Sequence, residues 1–236
     1  RLVQLFDTNR QRNLQISALT RLKDLQGEEG AWSWYKGMYP SRDITTYIAT
    51  LLVRLPQLTG TPLEGDALQM KQQAFGYLHK EALEEYKRMR RTEQEGRPIK
   101  TLSCLALDYM YLLALDGGEV LEAYKDVHAY FLKRVPDMLT GSSMQSKAQC
   151  LVILLANGRK AEAVDFEVSL KEHLVQDGKM GTHFAFNDGY YSWGMMPVPT
   201  HVAAMEALNR FGGNETLIED MKRWLLKQKQ TVAWNT

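Results

Sequence analysis

QGEEGAWSWYKGMYPSRDITTYIATLLVRL, residues 26–55, joins the end of one amphipathic helix to the start of another through a loop with tryptophans at alternate positions, Trp32 and Trp34. Gly27 and Gly30 can take the left-handed conformation that stops the first helix. The loop runs to Pro40, Ser41 or Asp43 caps the second helix, and its apolar stripe is Ile44, Tyr47, Ile48, Leu51, Leu52 and Leu55, ended by Pro56 and Gly60. Two weaker echoes follow, QDGKMGTHFAFNDGYYSWGMMPVPTHVAAMEAL from Gln176 and KQKQTVAWNT at the end of the sequence. Trp193 and Trp234 stand about 41 residues apart, the length of one helical hairpin and therefore of one repeat unit.

Outward from that stretch, the same pattern recurs. Leu14, Ile16, Leu19, Leu22 and Leu25 place a helix over residues 2–26, and Leu68, Phe75, Leu78, Leu83, Tyr86 and Met89 write a long one over 64–92. Residues 101–115 are apolar on all sides, which predicts a centrally buried helix closed by Gly117 and Gly118. Further helices are expected over 119–134, from a Ser142 or Ser143 cap to Ala156, over 159–175, over 199–210, and from an Asn214 cap to Lys229. That makes about nine helices. Only His183 to Trp193 offers strand-like alternation, as a short hairpin turning at Asp188-Gly189. The fold expected is all-α, in short-looped antiparallel helical hairpins, and the 236 residues are read as one domain.

Composition limits the function classes. Hydrophobic residues make up 44% and charged residues 24%, an ordinary folded-domain balance, and the formal net charge of +1 gives no long-range field for nucleic acid or an anionic membrane. No apolar run approaches the roughly 20 residues of a bilayer span. Cys104 and Cys150 lack Cys-x-x-Cys spacing and histidine neighbours, so they are expected to be buried free thiols rather than zinc ligands. His79, His128, His173 and His201 are scattered singly and are read as exposed or hydrogen-bonded helix residues. Lys87, Arg88, Arg90 and Arg91 are read as a solvated helix end that complements the helix dipole. No cofactor or metal is expected.

The order Gln26-x3-Gly30-x-Trp32 is similar to the turn motif of α/α-toroid proteins, in which hairpins close into a ring. More specifically, GAWSWYKGMYPSRDITTYIATLLVRL resembles the Gly-x-[Phe/Trp]-x-Trp-Phe-x-Gly…Arg-x-Ile-Thr-x-Tyr-Ile stretch of bacterial alpha-2-macroglobulin thioester domains. LFDTNRQRNLQISALTRLKDLQ resembles the helix before it, and MKRWLLKQKQTVAWNT, with GYYSW and PVPTHVAAMEAL, resembles that family's later segments. The resemblance implies a closed toroid, of which this chain is an incomplete piece with an exposed apolar edge and a capacity to dimerise. It also implies a domain of an envelope-associated or periplasmic protease trap, whose partners are proteases and neighbouring domains of the same polypeptide. The family's thioester joins a Cys to a Gln three positions later. Cys104 has Leu107 there and Cys150 has Ile153, so neither forms it, and the motif is either upstream of this chain or lost.

Loops of a helical ring gather at its ends, which makes Trp32, Trp34, Arg42, His183, Tyr190, Tyr191 and Trp193 the candidate contact surface. An alternative function rests on the same loops: a polysaccharide-processing α/α-toroid hydrolase or lyase, drawing its proton-transfer groups from Glu28, Glu29, Asp43, His183, Asn187, Asp188, Tyr190 and Tyr191. Against it, Asp188-Gly189 is ordinary turn chemistry, and no second feature sets a carboxylate spacing.

Overall fold

The computed structural model describes residues 8–185 and 197–228. Among them are nine α-helices: α1 (Thr8–Leu25), α2 (Arg42–Thr59), α3 (Gly65–Gln94), α4 (Cys104–Asp116), α5 (Lys125–Leu132), α6 (Met144–Ala156), α7 (Lys160–Glu172), α8 (Pro197–Phe211) and α9 (Glu215–Gln228). One antiparallel hairpin, β1 (Leu174–Asp177) with β2 (Gly181–Phe184), lies between α7 and α8. The class is all-α as the periodicity predicts. The chain divides into two compact units, residues 1–91 and 92–236.

In the first unit the helix ends follow local chemistry. Ser41 caps α2, its Oγ accepting from the Ile44 amide at 3.3 Å, and Gly60 closes it with a left-handed turn. Pro56, expected to stop the helix, sits inside it instead, and α2 runs on to Thr59. The apolar stripe is also turned. The buried face is Arg42, Thr45, Thr46, Ile48, Ala49, Leu52 and Val53, while Tyr47 and Leu51 face outward. The reason is that Thr45 and Thr46 return their hydroxyls to the carbonyls of Ser41 (2.7 Å) and Arg42 (2.8 Å). A hydroxyl satisfied within its own helix leaves the threonine methyl to pack like a small apolar group. Helix α1 meets its unit through its C-terminal end: Lys23 pairs with Asp66 at 2.6 Å and Gln26 reaches α3, whereas Leu14, Ile16 and Leu25 stay exposed.

The second unit is built around α6, where residues 147–154 are buried without a break. Helices α4, α7 and α8 pack around it. Helix α4 is buried on most sides as its composition predicts, and Ser103 and Ser143 cap α4 and α6. Arg134 ties the segment after α3 to this core. It donates to the Ile99 carbonyl (3.0 Å) and the Tyr130 carbonyl (2.8 Å), pairs with Glu93, and lies 3.5 Å from the centre of the Tyr130 ring.

Three local expectations differ in this unit. Residues 119–134 form a short 3₁₀ turn, Glu122–Tyr124, and then α5, rather than one helix. Cys104 is exposed as the first residue of α4, whereas Cys150 is buried and desolvation pushes its thiol up to about 12. The hairpin lies earlier than the alternation of residues 183–193 suggested. Its turn is at residues 178–180, and Leu174 and Val175, expected at the end of α7, pair with Phe184 and His183. The expected turn at Asp188-Gly189 lies outside the described residues.

Candidate functional site

Each unit holds part of the expected contact surface. In the first, the chain leaving α1 folds back on the start of α2. The Gln26 amide donates to the Gly30 carbonyl (2.8 Å) and the Met70 carbonyl of α3 (3.0 Å), so one side chain fastens the turn to a neighbouring helix. Gly30 has φ +83°, and a Cβ there would stand 2.4 Å from the Gln73 carbonyl oxygen; both conformation and space demand glycine. Trp32 is 2% exposed. Its indole N–H donates to the Leu22 carbonyl in the last turn of α1 (2.8 Å), and its backbone N–H donates to Thr45 Oγ1 (2.9 Å). The Ser41 amide donates to the Trp32 carbonyl at 2.8 Å, closing the loop at its base.

Beyond that base the side chains point outward. Trp34 is 63% exposed and Tyr39 95%, with Tyr35 and Met38 between them also exposed. The alternate tryptophans therefore divide the work: Trp32 packs and Trp34 is presented to solvent. Arg42 turns inward as well. It is 7% exposed, pairs with Glu85 of α3, and has no partner for Nε or Nη2 among the described residues. Tyr77, buried nearby in sequence terms on the same helix as Glu85, has its phenol pushed up by burial and then by the charges of Glu81 and Glu29, against a lowering by Arg42.

In the second unit, the hairpin and α9 enclose an open groove of about 960 Å³, lined among others by Asp177, Thr182, Glu219, Asp220 and Arg223. Gly181, with φ +87°, lets β2 approach α9 so closely that a Cβ would meet the Asp220 carbonyl oxygen at 2.5 Å. Thr182 Oγ1 donates to Asp220 Oδ2 (2.6 Å), and Arg223 pairs with the other oxygen at 3.0 Å. His183 is half-buried and stacks on Trp224, ring centroids 5.8 Å apart and planes within 7°. The Gly181→Ala chain is expected to lose roughly 1–3 kcal/mol of hairpin docking through left-handed strain and the close approach. Amide hydrogen exchange over residues 174–184 reads this directly; unchanged protection would show that β2 does not need the close approach.

Two carboxylates of the groove, Asp177 and Asp220, are poor proton donors. Asp177 is held below its ordinary value first by hydrogen bonds from the Met180 and Lys179 amides, and Asp220 first by the Thr182 hydroxyl, with burial opposing both. A general acid near neutral pH needs the opposite shift. Among the described residues, no group of three or more His, Cys, Asp or Glu is placed to hold a metal ion.

The expected site residues thus separate. Trp32 and Arg42 pack inside the first unit, Trp34 is on its surface, and His183 belongs to the hairpin of the second. Tyr190, Tyr191 and Trp193, and with them Asn187 and Asp188, lie outside the described residues. Sequence reasoning missed Glu85, which reads as one of several acids on an exposed helix, and His201, which reads as a lone histidine. The available signal for His201 was its phase: it shares a helix face with the buried Ala204 and Leu208. No family model matches the chain, and no curated protein matches it.

Proposed function

We propose that this chain is a non-catalytic helical domain of a bacterial alpha-2-macroglobulin-like endopeptidase inhibitor, working as part of a larger protease trap at the cell envelope. The observation that carries the reading is the Gln26-Gly30-Trp32 turn. In the resembled motif a glutamine and a tryptophan join successive helices, and here Gln26 bridges the turn to α3 while Trp32 joins the end of α1 to the start of α2. The order of the other resembling segments along the chain supports it too. Closure of the hairpins into a toroid belongs to the proposal, as do docking to neighbouring domains and dimerisation through the exposed apolar side chains of α1 and α2.

A trap blocks a captured protease by enclosing it, so the test separates large from small substrates. The polypeptide encoded by the whole gene is incubated with a broad-specificity endopeptidase, then offered a folded protein and a short chromogenic peptide. Loss of proteolysis on the protein with retention on the peptide is the expected result. Equal activity on both overturns the proposal. Depolymerisation of a polysaccharide by the same preparation would instead favour the toroid enzyme. That alternative draws on loop residues, of which the described Glu28, Glu29, Asp43 and His183 do not line the polar groove beside the hairpin. The groove's own Asp177 and Asp220, held below their ordinary values, are poor general acids.

A further inference from the structure

His201 is a nitrogen-bearing ring placed where the second unit has its least room for charge. It is 0% exposed. Nε2 lies 3.0 Å from the Met221 carbonyl of α9, so it carries the proton and donates, and Nδ1 is the bare acceptor. Nδ1 is buried and has no partner among the described residues. The ring is held between Trp224 of α9, centroids 4.4 Å apart, and Phe184 of β2, which it meets edge-on at 6.1 Å. His183 of β2 also stacks on Trp224. One histidine from α8 therefore forms the seat on which the hairpin and α9 meet.

That seat accepts the neutral ring and rejects the charged one. Protonation would add a second N–H at Nδ1, pointing into a space with no described acceptor, and would bury a cation, a desolvation cost that the attraction of the Trp224 ring offsets only in part. Several ionic groups on α8 and on the helices packed against it are engaged elsewhere. On α9, Asp220 holds Thr182 and Arg223, and Glu219 pairs with Lys222. On α8, Glu206 accepts from Tyr111 and pairs with Arg210; on α7, Glu167 pairs with Lys171; on α6, Lys147 donates to Ser169. His183, on β2, repels a charge on His201. Desolvation foremost, and His183 after the opposing Met221 hydrogen bond, accordingly hold His201 below its ordinary value of 6.5.

We propose that the β1–β2 hairpin is an acid-released latch, with His201 the group that springs it. Above its ordinary pKa the ring is neutral whether docked or released, and pH does not act on the latch. As pH falls below about 6.5 the released form takes up a proton that the docked form refuses, so the open population rises. Release uncovers Phe184 and the ring of Trp224. The device is independent of the protease-trap proposal.

The test is amide hydrogen exchange on the intact chain at about pH 7.5 and pH 5, corrected for intrinsic rates. Peptides over residues 174–184 are compared with those of α6. Linkage to one group allows the hairpin's opening to increase up to about 30-fold between these conditions, while α6 keeps its protection. His201→Phe and His201→Gln, the second retaining a donor for Met221, are each expected to abolish the pH response. His183→Gln is expected to retain it. Hairpin protection that tracks α6 at both pH values overturns the proposal, as does a response that survives in both His201 variants or disappears in His183→Gln. The imidazole nitrogen shifts of the unmodified protein provide a reading free of mutation. A His201 that titrates at its ordinary value while the hairpin stays protected also overturns the latch.

Discussion

Glu85→Ala is expected to destabilise the first unit by about 3–5 kcal/mol, the cost of leaving a buried charge without its partner. Arg42 and Glu85 are both nearly inaccessible, and the Arg42 Nη1 hydrogen bond to Glu85 joins the first turn of α2 to the second half of α3. Without the carboxylate the guanidinium keeps its charge, because arginine does not deprotonate at accessible pH. It must then either remain desolvated or pull the N-terminus of α2 outward to reach water. The second course breaks the Thr46 and Thr45 bonds and the Ser41 cap, all within one turn of Arg42.

Two further variants separate the pair's own worth from the penalty of breaking it. Glu85→Gln keeps an acceptor and loses the opposite charge, so its cost falls between zero and that of the alanine variant. Arg42→Met with Glu85→Leu removes both charges and fills their space, and is expected to recover most of the loss. Urea unfolding followed by circular dichroism measures all four chains. A Glu85→Ala midpoint within error of the parent would show that Arg42 reaches solvent in the native protein. A double variant no better than the single one would show that the pair contributes net attraction.

Trp32→Ala is expected to cost a similar amount, about 3–5 kcal/mol, as large aromatic truncations in a packed interior do. Here the loss has two parts. The emptied volume lies between the end of α1 and the start of α2, and the Leu22 carbonyl loses the indole N–H that satisfies it. Trp32→Phe keeps much of the bulk and loses the donor, for about 1 kcal/mol. Trp34→Ala, two residues away and largely exposed, is expected to stay within about 0.5 kcal/mol of the parent. Hydrogen exchange over residues 19–26 should report the Trp32 loss as a loosened α1 end. Equal costs for the two alanine variants would contradict the division between packing and display.

That pair of tryptophans shows how far the residues themselves can be read. Their spacing marked a turn between helices, and Gln26 and Gly30 marked its start. Which indole faces inward depends on Leu22 and Thr45, and no pattern within the loop carries that information. The helix caps were legible for the same reason that the tryptophan orientation was not. Ser41 and Ser143 act on amides three residues away, so the sequence around each contains the whole interaction.

The hairpin marks the limit from the other side. Residues 183–193 alternate, but β2 pairs backward with Leu174 and Val175, at the end of what reads as a helical pattern. Four-residue strands have too few alternating positions to compete with helical periodicity in the same window. Their placement comes from the Asp177 turn, whose carboxylate accepts from the Lys179 and Met180 amides, and from the contact of β2 with α9.

By itself, then, the sequence determined the all-α class, most helix ends and the turn that joins α1 to α2, because caps, glycine turns and helical periodicity act over a few neighbouring residues. Only the tertiary structure decided which faces are buried. Thr45 and Thr46 point inward because their hydroxyls are satisfied inside α2, Arg42 because Glu85 waits 43 residues further on, and His201 because β2 and α9 close over it. A polar group is stable in the interior when its partner is there, and a partner distant in the chain leaves no local trace.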